Sequence, residues 1–293
     1  MKFALAYNTA ALGTDPDAMT TVARCAEKSG FESIYLAEHI VFHPGVTMHG
    51  MEVPPTTAVA DPLESLAFIA ARTERLLLGT GVLLLPYRHP VVLAKQLATI
   101  DLLSKGRLRN VTVGLGVVER EASAIAVDFA SRGRRADEAI DVLRLLWAGG
   151  EGGVSYDGEF FGFDDICVYP KPFGGAVLPL HVGGSSRAAA RRAGIRGDGY
   201  FAGGILPPQE RLDQLQVMRE AAIAAGRDPD RLEYTRWGSL DLDEARVRSY
   251  ADQGVARLVV NPPVGTVDEQ VAEISRFAER VGLEPGRAVP AAS

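Results

Sequence analysis

The sequence predicts one α/β domain, a (β/α)8 TIM barrel, and three observations carry that expectation. Short apolar runs alternate with helix-like runs from end to end, giving about eight strand–helix pairs. The strand-like runs are apolar at successive positions, as strands are when a parallel sheet is covered on both faces. The length, 293 residues, suits one barrel of the roughly 250-residue class. An open doubly wound sheet, or two domains of roughly 150 residues each, are the competing arrangements.

The elements follow in order. Phe3–Tyr7 reads as a first strand and Asp15–Ser29 as a helix closed by Gly30. Ser33–Ala37 is the second strand, followed by a long Pro- and Gly-bearing loop from Ile40 to Ala60. Asp61 then caps the helix Leu63–Thr73, with Pro62 at its first position. Leu76–Leu84 is a buried strand, Val91–Leu103 a helix, Val111–Leu115 a strand, and Arg135–Trp147 a strongly periodic helix. The Gly- and aromatic-rich stretch 149–170 breaks the rhythm and reads as a β-hairpin insertion. The alternation resumes with Leu178–Val182, helix Arg187–Gly194, Gly199–Ala202, helix Gln209–Ala225, Leu232–Trp237, helix Asp243–Gln253, Ala256–Val260 and helix Val267–Val281. The domain spans 1–283, and 284–293 reads as a frayed tail.

Composition narrows the function classes. A hydrophobic fraction of 47% supports a sizeable core. The net charge of −6 argues against a nucleic-acid surface but leaves room for a small anionic ligand held by local potential. No run reaches the roughly 18 apolar residues of a membrane span, and the N-terminal apolar run is too short for a signal peptide, so a cytoplasmic protein is expected. Cys25 and Cys167 form no CxxC pair and are expected as small core residues. His39, His43, His49 and His89 match no metal-ligand spacing, so no metal site is expected.

Barrels gather their chemistry at the carboxyl ends of the strands. Asn8, Glu38, His39, the run Gly79-Thr80-Gly81-Val82 and on to Leu84, Gly114 to Glu121, Gly183 to Ser186, Gly203, Gly204, Ser239 and Asn261 stand there. Leu180-His181-Val182-Gly183-Gly184-Ser185-Ser186-Arg187 reads as a strand, two glycines and a serine-opened helix. A helix start offers unpaired N–H groups and partial positive charge, a seat for phosphate. The same residues also make an ordinary glycine turn with a serine N-cap. Arg187, Arg191, Arg192 and Arg196 follow with no acid between them; they could attract an anion, or, Arg187 excepted, simply favour the distal half of their helix.

At these residues the chain resembles the bacterial luciferase-like superfamily, and within it the deazaflavin oxidoreductases that use coenzyme F420. Four segments carry the likeness over nearly the whole length: Gly30-Phe31-Glu32-Ser33 through Glu38-His39; Asp61-Pro62 through Leu76 to Pro90 and on to Lys95; Arg132-Gly133-Arg134-Arg135-Ala136-Asp137-Glu138; and Pro170-Lys171-Pro172 with the Gly-Gly-Ser-Ser turn and Gly197-Asp198-Gly199-Tyr200. The resemblance implies hydride transfer at the deazaflavin C5, with F420 as cofactor and FMN, in a monooxygenase, as the alternative. A barrel that binds cofactor without catalysis is a further alternative.

It implies His39 as a proton-transfer group, suited by a pKa near neutrality, with Glu38 beside it. Asn8, Gly79, Thr80, Gly81, Val82 and Gly114 would border the ring, and Gly81–Val82 would be a cis peptide bond in a bulge. Gly183, Gly184, Ser185, Ser186, Arg187, Gly203 and Gly204 would hold the phosphate. The loop 40–60 would be the substrate lid, with Tyr87, Arg88 and His89 as further contacts, and relatives are commonly homodimers. Val117 stands where many relatives carry Trp or Glu, which leaves the catalytic acid open. Glu121 matches a frequent family acid, but Glu119 and Glu121 read first as two exposed acids at a helix start. The partner expected is a small-molecule substrate, with no nucleic acid and no membrane.

Overall fold

The structure is a computed structural model that describes residues 1–48, 50–204 and 206–284. The lid residue His49 and the tail from 285 onward lie outside the described residues.

Eight parallel strands close on themselves: β1 (Lys2–Ala6), β2 (Ser33–Leu36), β3 (Leu77–Leu84), β4 (Leu108–Gly114), β5 (Leu180–Gly184), β6 (Gly199–Ala202), β7 (Glu233–Ser239) and β8 (Arg257–Asn261). Each is hydrogen-bonded to its sequence neighbours, and β8 returns to β1. The principal helices are α1 (Pro16–Lys28), α2 (Pro62–Arg72), α3 (Pro90–Leu103), α4 (Arg132–Ala148), α5 (Arg187–Arg196), α6 (Pro208–Ala224), α7 (Glu244–Asp252) and α8 (Val267–Arg280). This is the (β/α)8 arrangement the alternation predicts.

Local chemistry sets the helix starts. Asp15, Asp61, Ser186, Asp243 and Thr266 each cap a helix with a side-chain oxygen. Sequence-read boundaries shift by a few residues at several ends. The fourth strand starts at Leu108 rather than Val111, because polar Arg109 and Asn110 hide it. Arg109 reaches the buried Asp101 at 2.9 Å, and Asn110 is buried against Gly79. The insertion pairs Val154–Asp157 with Gly162–Ile166, and Glu138 of α4 accepts the Phe160 and Phe161 amides. Cys25 packs against the core, but Cys167 is exposed beside the Gly150 and Glu151 carbonyls, so the core reading of Cys167 is corrected. Ile166 ends the hairpin strand and packs against the core, whereas Cys167, the next residue, lies past the strand and is exposed.

The main core lies between strands and helices, with Leu5, Ile34, Leu78, Val113, Val182 and Phe277 among its members. A smaller cluster fills the barrel itself: Ala4, Ala6, Tyr35, Phe201 and Val259, with Trp237 packed on it. Its amino end is closed by a buried ion network. Arg257 donates to Glu32 at 2.9 Å and to Glu233 at 2.7 Å, and Lys2 bonds Glu233 at 2.5 Å. The opposite, carboxyl end is left for chemistry.

Candidate active site

The peptide bond between Gly81 and Val82 is cis, and the β3–β4 register shifts between Gly81 and Leu83. The Val82 side chain turns toward β4 and β5. A Cβ on Gly114 or on Gly183 would overlap it, so both glycines make room for the bulge. Gly81 itself opens onto Phe201, Tyr35 and Trp237 inside the barrel, a Cβ there standing 3.3 Å from the first two rings. Gly79 lies deeper, where a Cβ would meet Asn110 at 2.8 Å. Thr80 is fully buried and ties β3 to β4, donating to the Thr112 carbonyl at 2.8 Å and accepting the Thr112 amide at 3.0 Å. Gly79 and Thr80 thus build the bulge's support.

His39 and Glu38 follow β2 and take separate environments. Glu38 is buried. One oxygen accepts the Leu84 amide at 2.5 Å and the other accepts Arg88, whose guanidinium also bonds Asp61 at 2.5 Å. Burial raises the Glu38 carboxyl above its usual range, and Arg88 pulls against that rise. Arg88 is therefore committed to holding β2, β3 and the α2 start together. His89 caps α3 through the Val91 amide and stands edge-on to Phe161.

His39 points to the other side. Its Nδ1 lies 3.3 Å from Glu121 Oε2, and Glu121 is fully buried. The second Glu121 oxygen accepts the Ile40 amide at 2.6 Å and the Val41 amide at 3.4 Å. The expectation of two exposed helix-start acids holds for Glu119 and fails for Glu121. The short helix Glu119–Ala124 turns Glu121 inward under Ile40 and Val41. The Tyr87 hydroxyl is buried without a hydrogen-bond partner; burial and the Glu121 charge push it up to about 12. The 40–60 loop carries a small ladder, Thr47–Met48 against Met51–Glu52, and is anchored where Thr9 accepts the Ala60 amide at 3.1 Å. Asn8 caps the short helix Thr9–Leu12.

Across the same barrel end, β5 runs into α5. Gly184 sits at φ +139, a left-handed conformation that favours glycine. Ser185, Ser186, Arg187 and Ala188 are exposed. Ser186 accepts the Ala189 amide at 3.1 Å, so the capping reading of this serine is met. The preceding amides of Arg187 and Ala188 have no helical carbonyl to reach. Gly203 donates to the Gly184 carbonyl at 3.1 Å, setting β6's Gly203-Gly204 turn beside the helix start. A buried network that sequence reading missed stiffens the corner: the Tyr200 hydroxyl has one proton to give and stands between two acceptors, Gln214 Oε1 at 2.6 Å and the Gly184 carbonyl at 2.9 Å, while Gln214 donates to the Ser185 carbonyl at 2.7 Å. On α6 Gln214 sits among polar and apolar residues alike, Asp213, Leu215 and Gln216 beside it, so the sequence carries no signal for it. Arg192 pairs with Asp137 and Arg196 with Asp141, whereas Arg187 and Arg191 form no ion pair among the described residues. Among those residues no group of three His, Cys, Asp or Glu side chains could hold a metal.

A family model described as luciferase-like monooxygenase matches residues 2–258. The chain belongs to this family. A relative named F420-dependent glucose-6-phosphate dehydrogenase, from Nakamurella multipartita, is 28% identical over 282 residues, covering 95% of this chain and 79% of that protein. A second, named F420-dependent hydroxymycolic acid dehydrogenase, from Mycobacterium tuberculosis, is 32% identical over 221 residues, covering 74% of this chain and 56% of that protein. Among solved structures, an F420-dependent secondary alcohol dehydrogenase in complex with an F420–acetone adduct superposes with a TM-score of 0.79 at 19% identity, over 96% of this chain and 98% of that one. This luciferase-like chain therefore shares its barrel with F420 enzymes. No helix among the described residues is long and apolar enough to cross a membrane.

Proposed function

We propose that this luciferase-like protein is an F420-dependent oxidoreductase acting on a small organic substrate. The observation that carries the reading is the open corner at Gly184–Ala188. Exposed, unpaired helix-start amides stand beside a left-handed glycine, at the barrel end that also carries His39. Relatives named for F420 share most of this chain's length.

When bound, the deazaflavin supplies hydride chemistry at its C5 carbon. Arg187, Ala188 and Ser185 would hold its phosphate, with Gly203 and Gly204 closing the turn. Arg187 and Arg191 offer unneutralised charge to an anionic tail. Val82, pushed inward by the bulge, and Trp237 would border the ring. His39 is the group suited to move a proton at the substrate oxygen, since a histidine exchanges protons near neutral pH. Glu38, with both oxygens engaged, is assigned a positioning role. The segment 40–60 excludes water over the site.

The chain is further proposed to work as a homodimer. The α3 helix exposes Val92 near its start and Leu102 and Leu103 at its end, with Lys95, Gln96 and Thr99 between them, and Tyr169 and Phe173 lie exposed next to it. The two segments are joined by Lys95, which donates to the Tyr169 carbonyl at 2.7 Å, and by the Phe173 amide, which donates to Asp101 at 2.9 Å.

Fluorescence titration with oxidised F420 and with FMN tests the reading. Quenching by F420 in the micromolar range is expected, with FMN at least about tenfold weaker. Reduced F420 should then be oxidised by an enone such as cyclohexenone, or oxidised F420 reduced by a panel of alcohols and sugar phosphates. Preference for FMN would turn the assignment to a flavin monooxygenase, and binding of neither would end the oxidoreductase reading.

A further inference from the structure

We infer that Glu121 is a positioning residue that fixes which ring nitrogen of His39 carries the proton. The inference rests, for its catalytic meaning, on the oxidoreductase reading above; its structural content does not. The carboxylate is fully buried, and its two oxygens divide their work. Oε1 is occupied by two backbone donors, the Ile40 amide at 2.6 Å and the Val41 amide at 3.4 Å. Oε2 is left for His39 Nδ1 at 3.3 Å. A carboxylate only accepts, so the His39 nitrogen facing it must donate. Nδ1 then carries the proton, and in the neutral ring Nε2 keeps the lone pair. That tautomer can take a proton from a substrate hydroxyl, and the protonated ring can return it.

The same carboxylate holds the first two lid amides. The backbone that carries His39 and the ring's tautomer are thereby set by one side chain. Because Glu121 sits on the segment after β4, it brings β4 to bear on a histidine that follows β2. It also stands four residues after Val117, the position at which the family resemblance placed Trp or Glu.

The substitution Glu121→Gln gives a sharp test. Two amide donors fix the orientation of the new side chain, because its carbonyl must accept from Ile40 and Val41. Its NH2 group then faces His39 Nδ1 and requires that nitrogen to accept. The tautomer should invert while the fold is kept. The experiment is 15N–1H correlation of the imidazole rings at pH 8 on the intact chain without cofactor, with His39→Gln assigning the resonances. In the unsubstituted protein His39 should show an Nδ1-bound proton, and in Glu121→Gln an Nε2-bound one. F420 affinity, read by fluorescence, should stay within about threefold, while any F420-linked turnover found with the substrate panel should fall by about 100-fold. An Nε2-bound proton in the unsubstituted protein, or an unchanged pattern in Glu121→Gln, overturns the inference. The first of these needs no variant to fold. Failure of F420 to bind at all would sink the oxidoreductase reading and leave the tautomer result standing.

Discussion

His181 is fully buried near the floor of the barrel, with Glu233 3.8 Å from its Nε2. Burial, and then the charge of Arg257, depresses its pKa to about 4. The folded protein therefore holds it neutral, while the unfolded chain takes up a proton near pH 6.5. Unfolded molecules bind more protons through that window, so stability is full above about pH 6.5 and falls as the pH drops toward 4. The loss amounts to about 3 kcal/mol. For Glu233, burial alone would raise the carboxyl, but Arg257 and Lys2 hold it down to about 2, so its contribution is lost only below about pH 4.5. Urea midpoints measured between pH 7 and 5 should decline in the native protein and flatten in His181→Asn; an equal slope in both would refute the assignment. Single residues also mark where sequence reading stops. An acid two positions into a helix looks the same whether it faces water or a histidine. Glu119 and Glu121 differ only in which side of a short helix they occupy, and that side is set by the loop packed above it.

At the scale of elements, the turn from β5 into α5 was legible in outline. Two glycines, two serines and a change from strand to helix period place an anion-ready helix start in sequence alone. What holds that turn was not legible, because Tyr200 and Gln214 come from β6 and α6 and meet it only in the fold. Gln214→Leu removes the donor from the Ser185 carbonyl and leaves the Tyr200 hydroxyl with one acceptor instead of two. A loss of about 1–3 kcal/mol in stability is expected, with F420 affinity weakened several-fold. Thermal melting and cofactor titration together check this; affinity unchanged at reduced stability would separate the network from the binding corner. The arginine run on α5 resolves in the same way. Arg192 and Arg196 reach acids on α4, while Arg187 and Arg191 keep their charge available.

For the whole molecule, the exposed apolar side chains at the ends of α3, with Tyr169 and Phe173 beside them, are the feature a lone barrel does not account for, since exposed apolar patches mark association surfaces. Leu103→Glu should convert a dimer to a monomer in light scattering, with little change in melting temperature. A native chain that is already monomeric would remove the surface from consideration. The sequence by itself determined the barrel, because eight repeats of an apolar strand and a capped helix leave few other ways to cover both faces of a parallel sheet. Position along a strand also put His39 at the carboxyl end, while the bulge at Gly81–Val82 came from the family resemblance. Only the tertiary structure decided which polar groups meet: Glu38 with Arg88, Glu121 with His39, Gln214 with the β5 turn. Pairing across a barrel joins residues far apart in the chain, and no local period or spacing records the distance between them.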